Sequence, residues 1–277
     1  MLAVLGVSRS GYYAWLNPQP SACQKRKEQV KKKIRILYHA SKENYGAPKI
    51  TKELRKDGEI IAQRTVGNYM RQEGIRAQWV KPWMVTTKPT DFSSKLQTIL
   101  EEDFNPERPN AIWCTDITYV WTETGFVYLT SVMDLFSRKI IAWNVTDTLE
   151  VSCVVDTVKK AKKGRHIFLP LVLRSDRGSQ YISKEYQRVT ADIQLSCLAK
   201  AAPWENACIE PFHALIKREW LNRFTLKNFT HAYHMIFEYI ETFYNTVRIP
   251  SHCNYLSPNE FETVYEQAEK RKCRLIS

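Results

Sequence analysis

The sequence has no apolar run near the roughly 18 residues that a bilayer-spanning helix needs, and its N-terminus lacks the basic, apolar, small-residue order of a secretory signal. A membrane or secreted protein is therefore not expected, and the chain reads as cytosolic. The seven cysteines, at positions 23, 114, 153, 197, 208, 253 and 273, are odd in number and never form a Cys-x-x-Cys pair. That pattern argues against a disulfide framework and a zinc knuckle, and leaves most of the cysteines as small buried apolar residues. One further absence is electrostatic. Residues 91–277 hold 23 Lys and Arg against 23 Asp and Glu and carry no net charge.

The whole net charge of +12 therefore falls on residues 1–90, where 18 basic residues face 6 acidic ones. A basic arm on a neutral body points to a polyanionic partner. Nucleic acid is favoured over a membrane surface, because no amphipathic Trp/Phe face accompanies the lysine run. The plain alternative is a solvated basic surface that aids solubility. Within the arm, Ser8 is placed to cap a short helix, and residues 24–40 form a basic helix that includes Lys31, Lys32 and Lys33. Pro48 suits a first helical turn, and Gly58 and Gly74 suit helix ends. The two short helices around DGEIIAQ suggest a helix-turn-helix whose second helix offers Arg64, Asn68 and Arg71 to DNA. Any small helical domain contains helix pairs, which is the competing reading. Residues 85–95 are polar, hold a proline and lack periodicity, so they read as a linker.

Beyond the linker the pattern changes. Residues 110–121, 126–133 and 139–145 are β-branched and aromatic runs separated by short turns, which predicts a three-stranded antiparallel meander. A helix over 149–163 leads to a strand ending at Asp176. A helix after Ser183, a strand near 193–198 and a helix from about Trp204 follow. The order is β-β-β-α-β-α-β-α, a mixed sheet covered by helices.

Two aspartates stand out. Asp116 interrupts an apolar strand, where a carboxylate is expensive to bury without a counter-charge or a metal. Asp176 sits at a strand's C-terminal tip, where α/β folds keep their chemistry, although an aspartate there can simply start a turn. If the two strands are neighbours, the aspartates converge, and Glu205, Glu210 or Glu219 from the following helix could add a third carboxylate. Three carboxylates suit hard divalent cations, Mg²⁺ or Mn²⁺. Two such ions about 4 Å apart serve in-line phosphoryl transfer.

The stretches WCTDITYV, MDLFSRKIIAW, SDRGSQY, PWENACIEPFHALIKRE, ETFYNTVR and YLSPNEF, in this order, resemble the OrfB-type transposases of the IS3 insertion sequences, over about residues 1–264. The resemblance implies an α/β ribonuclease-H-like mixed sheet flanked by helices, similar to retroviral integrase cores, behind a small basic all-α helix-turn-helix region. It implies an Asp-Asp-Glu triad at Asp116, Asp176 and Glu210, holding Mg²⁺ or Mn²⁺, as two ions. The resulting layout is a DNA-binding region over 1–84, a linker over 85–103, a catalytic core over 104–264 and a tail over 265–277. The implied reaction is hydrolytic exposure of a 3′-hydroxyl at an element end, then attack of that hydroxyl on another phosphodiester. Ser175 and Ser179 are disfavoured as nucleophiles. The implied partners are double-stranded DNA (terminal inverted repeats and target), further copies of the chain as a homo-oligomer on DNA, and an upstream-frame OrfA-type protein or fusion. An upstream frame would account for the abrupt start at Met1. The implied location is the bacterial cytoplasm, at the nucleoid.

Arg177 and Gly178 form a turn able to approach phosphate. Glu205 and Glu210 cannot both face the aspartates. Glu205 can serve the helix start, whereas Glu210 shares a face with Asn206 and Lys217, a stripe suited to DNA. The chain departs from the family pattern in having only 33 residues between Asp176 and Glu210, in Arg174 and Glu205, and in Pro250 and Asn254. Asp134 lies in a matching motif, but its turn position favours a structural role. Two other functions share these features: an inactive DNA-binding remnant or repressor, and a ribonuclease H acting on hybrids. The intact carboxylates oppose the first, and the basic arm opposes the second.

Overall fold

The structure, a computed structural model, describes residues 6, 8–16, 20–78, 105–176, 178–197 and 209–276. The chain divides into two units, residues 1–79 and 80–277. The expected linker over 85–95 lies outside the described residues.

In the first unit, α1 (Arg9–Leu16) follows Ser8, whose hydroxyl accepts from the Gly11 N–H. Ser21 caps α2 (Ala22–Ala40) in the same way through the Gln24 N–H. Then come α3 (Ala47–Lys56), with Pro48 in its first turn, and α4 (Gln63–Gln72). Val30 and Ile34 of α2, Ile50 and Leu54 of α3, and Val66 and Met70 of α4 are all buried. Each pair is four residues apart, so each helix turns one apolar stripe inward. Gly58 and Gly74 close α3 and α4 at φ +82° and +68°, where a side chain would be strained. Arg55 donates to the Ile61 carbonyl at 2.9 Å and ties down the turn between α3 and α4.

The second unit is built on one five-stranded sheet in the order β3-β2-β1-β4-β5. Strands β1 (Ile112–Thr122), β2 (Gly125–Asp134) and β3 (Lys139–Thr146) form the expected antiparallel meander. Strands β4 (Val172–Ser175) and β5 (Gln194–Cys197) run parallel to β1. Helix α5 (Val151–Gly164) leads from β3 to β4, and α6 (Lys184–Val189), capped by Ser183, from β4 to β5. The elements α7 (Glu210–Glu219), α8 (Phe229–Phe237), a π-helical turn (Glu238–Tyr244) and α9 (Pro258–Ile276) complete it.

The sheet is covered on both faces because β1 alternates. Cys114 and Val120 pack with Phe212, Ile216, Ile240 and Phe243, whereas Trp113 packs with Val154, Val158 and Leu173 behind the other face. The late motifs act as fasteners. In ETFYNTVR, the Asn245 amide brackets the edge strand β3, accepting from the Ile140 N–H at 3.0 Å and donating to its carbonyl at 2.9 Å. Arg248 of the same motif grips Glu219 of α7 with two bonds of 2.9 Å. In YLSPNEF, Ser257 and Glu260 form a reciprocal capping box that starts α9. Asn254, one of the departures from the family pattern, sits at φ +52°, a left-handed conformation that asparagine tolerates. The buried Asp134 accepts from the Asn110 and Phe136 N–H groups, the structural role expected of it.

Candidate active site

Asp116 lies in mid β1, opposite Ser131 of β2. On its other side, β1 and β4 are paired through Cys114 and Arg174. Two residues further along this parallel register stand Asp116 and Asp176. The topology therefore brings the two aspartates to the same stretch of sheet, just past the end of β4. Burial pushes the Asp176 carboxyl up from its ordinary range, the Gly178 N–H opposes that shift, and the Asp116 charge adds to it. This is the signature of two carboxylates held within electrostatic reach. Asp176 accepts the Gly178 N–H at 2.9 Å, and a Cβ on Gly178 would lie only 3.1 Å from the same carboxylate oxygen. Glycine therefore lets the turn fold back on the aspartate.

Helix α7 supplies the third wall. Its first residue, Glu210, is exposed, and Pro211 occupies the first turn. His213 is buried and lies with Nδ1 3.3 Å from an Asp116 carboxylate oxygen and Nε2 2.7 Å from the Ser131 hydroxyl. A carboxylate oxygen accepts, so Nδ1 faces Asp116 as a donor, while Nε2 shares a hydrogen bond with the Ser131 hydroxyl. One turn on, Lys217 is half-buried. Desolvation lowers its ammonium pKa, and Asp116 partly restores it. Glu210, His213 and Lys217 stand three and seven residues apart on one helix face, and the latter two engage Asp116. His213 and Lys217 are thus turned toward Asp116. Among the described residues, no three carboxylate, imidazole or thiol groups already form a metal-binding cluster. Arg177, Glu205 and Asn206 lie outside the described residues.

Sequence reasoning missed His213, since a single histidine inside a helix is commonplace. Its spacing from Glu210 and Lys217 is the only clue. Tyr181 closes the back of the site. Its hydroxyl lies 3.4 Å from Thr115, and burial raises its pKa well above the ordinary value, aided by both aspartates.

In the first unit, Arg64, Asn68 and Arg71 are all exposed on α4, with Arg71 donating to Asn68 at 2.7 Å. The lysine run is not uniform. Lys32 is exposed, Lys33 pairs with Glu59 at 2.7 Å, and Lys31 is buried and pairs with Glu73 at 3.0 Å. The expectation of a free cation at Lys31 is amended accordingly: α2 packs that position inward, onto an acid at the end of α4.

Two families, each described as an integrase core domain, match residues 106–200 and 210–264, and an HTH-like domain matches residues 25–83. A relative named as the transposase for insertion sequence element IS904, from Lactococcus lactis subsp. lactis (strain IL1403), is 33% identical over 249 residues, covering 89% of this chain and 98% of that protein. Transposase InsF for insertion sequence IS3A, from Escherichia coli (strain K12), is 32% identical over 268 residues, covering 95% and 92%. Among solved structures, the HTLV-2 integrase catalytic core domain in complex with magnesium (trimeric form) aligns with a TM-score of 0.45 at 17% identity, covering 57% of this chain and 99% of that one.

Proposed function

Since the chain belongs to the IS3-type insertion-sequence transposases, we propose that it cuts and joins DNA at a carboxylate site made by Asp116, Asp176 and Glu210. The observation that carries this reading is the convergence on Asp116: Asp176 interacts with it from β4, and His213 and Lys217 from α7. The donor set fits a hard divalent cation. It consists of carboxylate oxygens, two of them close enough that one raises the other's pKa. Asp116, Asp176 and Glu210 would hold magnesium or manganese, as two ions. When bound, such ions activate an attacking oxygen and stabilise a leaving one.

The chain's own residues prepare that chemistry. His213 fixes one Asp116 oxygen, and the Gly178 N–H fixes one of Asp176, so each carboxylate keeps its other oxygen for the site. Lys217 offers a cation to a phosphate of the strand being cut, and Arg177 and Asn206 extend that contact. The reaction is hydrolysis of a phosphodiester that leaves a 3′-hydroxyl, followed by attack of that hydroxyl on a second phosphodiester. No side chain becomes covalently attached.

Residues 1–84 serve as the DNA-binding region and 104–264 as the catalytic core. Helix α4 reads an element end through Arg64, Asn68 and Arg71, and Lys32 contacts the backbone. Several copies act together on DNA, in the bacterial cytoplasm. No described helix is long and apolar enough to cross a membrane.

The test is incubation of the purified chain with duplexes taken from the DNA flanking its gene, with Mg²⁺ or Mn²⁺. Nicks that leave 3′-hydroxyls, and joined products, are expected. Binding without nicking in either metal would instead support a repressor, and cutting of RNA·DNA hybrids alone would support a ribonuclease H.

A further inference from the structure

The far end of the β1–β2 hairpin carries three large rings on its surface. Tyr119 and Trp121 are each 63% exposed and Phe126 is 48% exposed. Surface aromatics are common singly, but three in contact call for a partner. Phe126 meets Trp121 at a centroid distance of 4.8 Å and an angle of 73°, and Tyr119 at 5.7 Å and 81°. The rings therefore hold one another in place. They border a pocket of about 480 Å³ that also takes in Lys217, Phe224 and Glu123. Its floor is pinned where the Glu123 N–H donates to the Leu226 carbonyl at 2.8 Å.

The pocket is polarised. The Lys217 ammonium lies 5.0 Å from the centroid of the Tyr119 ring, and the same group feels Asp116. One cation thus joins the aromatic surface to the carboxylate site. Glu123 repels phosphate from the rest of the pocket and leaves the Lys217 side as the place for a backbone charge. Flat rings beside a single cation match a nucleotide: every base has a π-face that stacks on aromatic side chains, and its phosphate needs a positive charge. A paired base inside a duplex cannot offer that face.

We propose that Tyr119, Trp121 and Phe126 stack an unpaired base of the DNA strand that enters the carboxylate site, with the adjoining phosphate on Lys217. This rests on the transposase reading and adds to it a pocket that takes DNA with its end opened. The cation and its link to Asp116 favour this occupant over a second copy of the chain.

The experiment uses the full-length protein without divalent metal. Two duplexes of equal length are compared, one blunt and one with a two-base unpaired end that carries 2-aminopurine. Wild type binds the open-ended duplex about tenfold tighter, a preference set by base–aromatic stacking, and quenches its fluorescence. Tyr119→Ala and Trp121→Ala lose the preference while blunt-duplex binding and the melting temperature hold, because both side chains are exposed. Trp121→Phe keeps it. A wild type without preference, or alanine variants that retain it, overturns the proposal. So does a change in sedimentation on substitution with the preference intact, which would assign the face to a second copy. A wild type that nicks in the presence of metal but shows no preference refutes this pocket alone, whereas a wild type that shows the preference but does not nick refutes the carboxylate reading.

Discussion

Replacing His213 with alanine removes two bonds at once, the 3.3 Å contact to Asp116 and the 2.7 Å bond to Ser131. The Ser131 hydroxyl is fully buried, so leaving it unpaired costs about 1–3 kcal/mol, and the space left by the ring adds to that. A merely structural histidine would show this loss and nothing more. If the ring orients Asp116, the catalytic readout moves as well. Partners that hold a metal-binding carboxylate are worth about 10- to 100-fold in metal affinity or activity, or about 1.4–2.7 kcal/mol. The assay is nicking rate against Mg²⁺ concentration, with the melting temperature followed in parallel. His213→Ala shifts the Mg²⁺ midpoint upward by about tenfold or more. His213→Asn, whose amide nitrogen can stand where Nδ1 stands, recovers most of it although the bond to Ser131 is gone. An unchanged Mg²⁺ midpoint in His213→Ala, or an asparagine variant no better than alanine, would refute the reasoning.

Glu262 on α9 is buried and accepts from Ser137, Lys139 and Arg165. Glu262→Gln strands two partly buried cations and lowers stability by about 2–3 kcal/mol, or about 5–10 °C in Tm, as thermal unfolding would show. Burial pushes the Glu262 carboxyl up, but the Arg165 hydrogen bond and charge prevail and hold it below its ordinary value. Its contribution is therefore complete above the unfolded pKa near 4.5 and is lost as pH falls through the lower folded value; Glu262→Gln flattens the stability profile in that acid range. Replacing Arg64, Asn68 and Arg71 together by alanine reduces preference for the cognate end over random duplex, measured by competition binding, while nonspecific binding changes less. Equal loss on both duplexes would deny α4 the reading role. Glu210→Gln abolishes Mg²⁺-dependent nicking whereas Glu205→Gln retains it; the reverse result would put the wrong face of the chain toward the aspartates.

The fold was legible because its signals are local. Alternating β-branched and aromatic runs separated by TETG and DLFSR give the meander, and serines 8 and 183 cap the helices they precede. The pairing of β1 with β4, only a condition in the sequence, is found in the structure. What was not legible depends on contacts across long stretches of chain. The burial of Lys31 depends on Glu73 in another helix, and nothing in the run Lys31-Lys32-Lys33 distinguishes its members. Asn245, the Arg248–Glu219 pair and Glu262 lie in or beside motifs whose letters were readable, but their tasks appear only once β3 and α7 are in place. His213 was hidden for the same reason, since its partners are 97 and 82 residues away in sequence by number, at Asp116 and Ser131.

The central claim is that Asp116 and Asp176 are the charges on which DNA cutting depends. Its most direct test is Mg²⁺-dependent nicking of an element-end duplex by Asp116→Asn and Asp176→Asn, each of which removes one carboxylate charge and little volume. Both variants are predicted to melt and to bind DNA much like the wild type, and neither to nick. Nicking near the wild-type rate by either one would contradict the account.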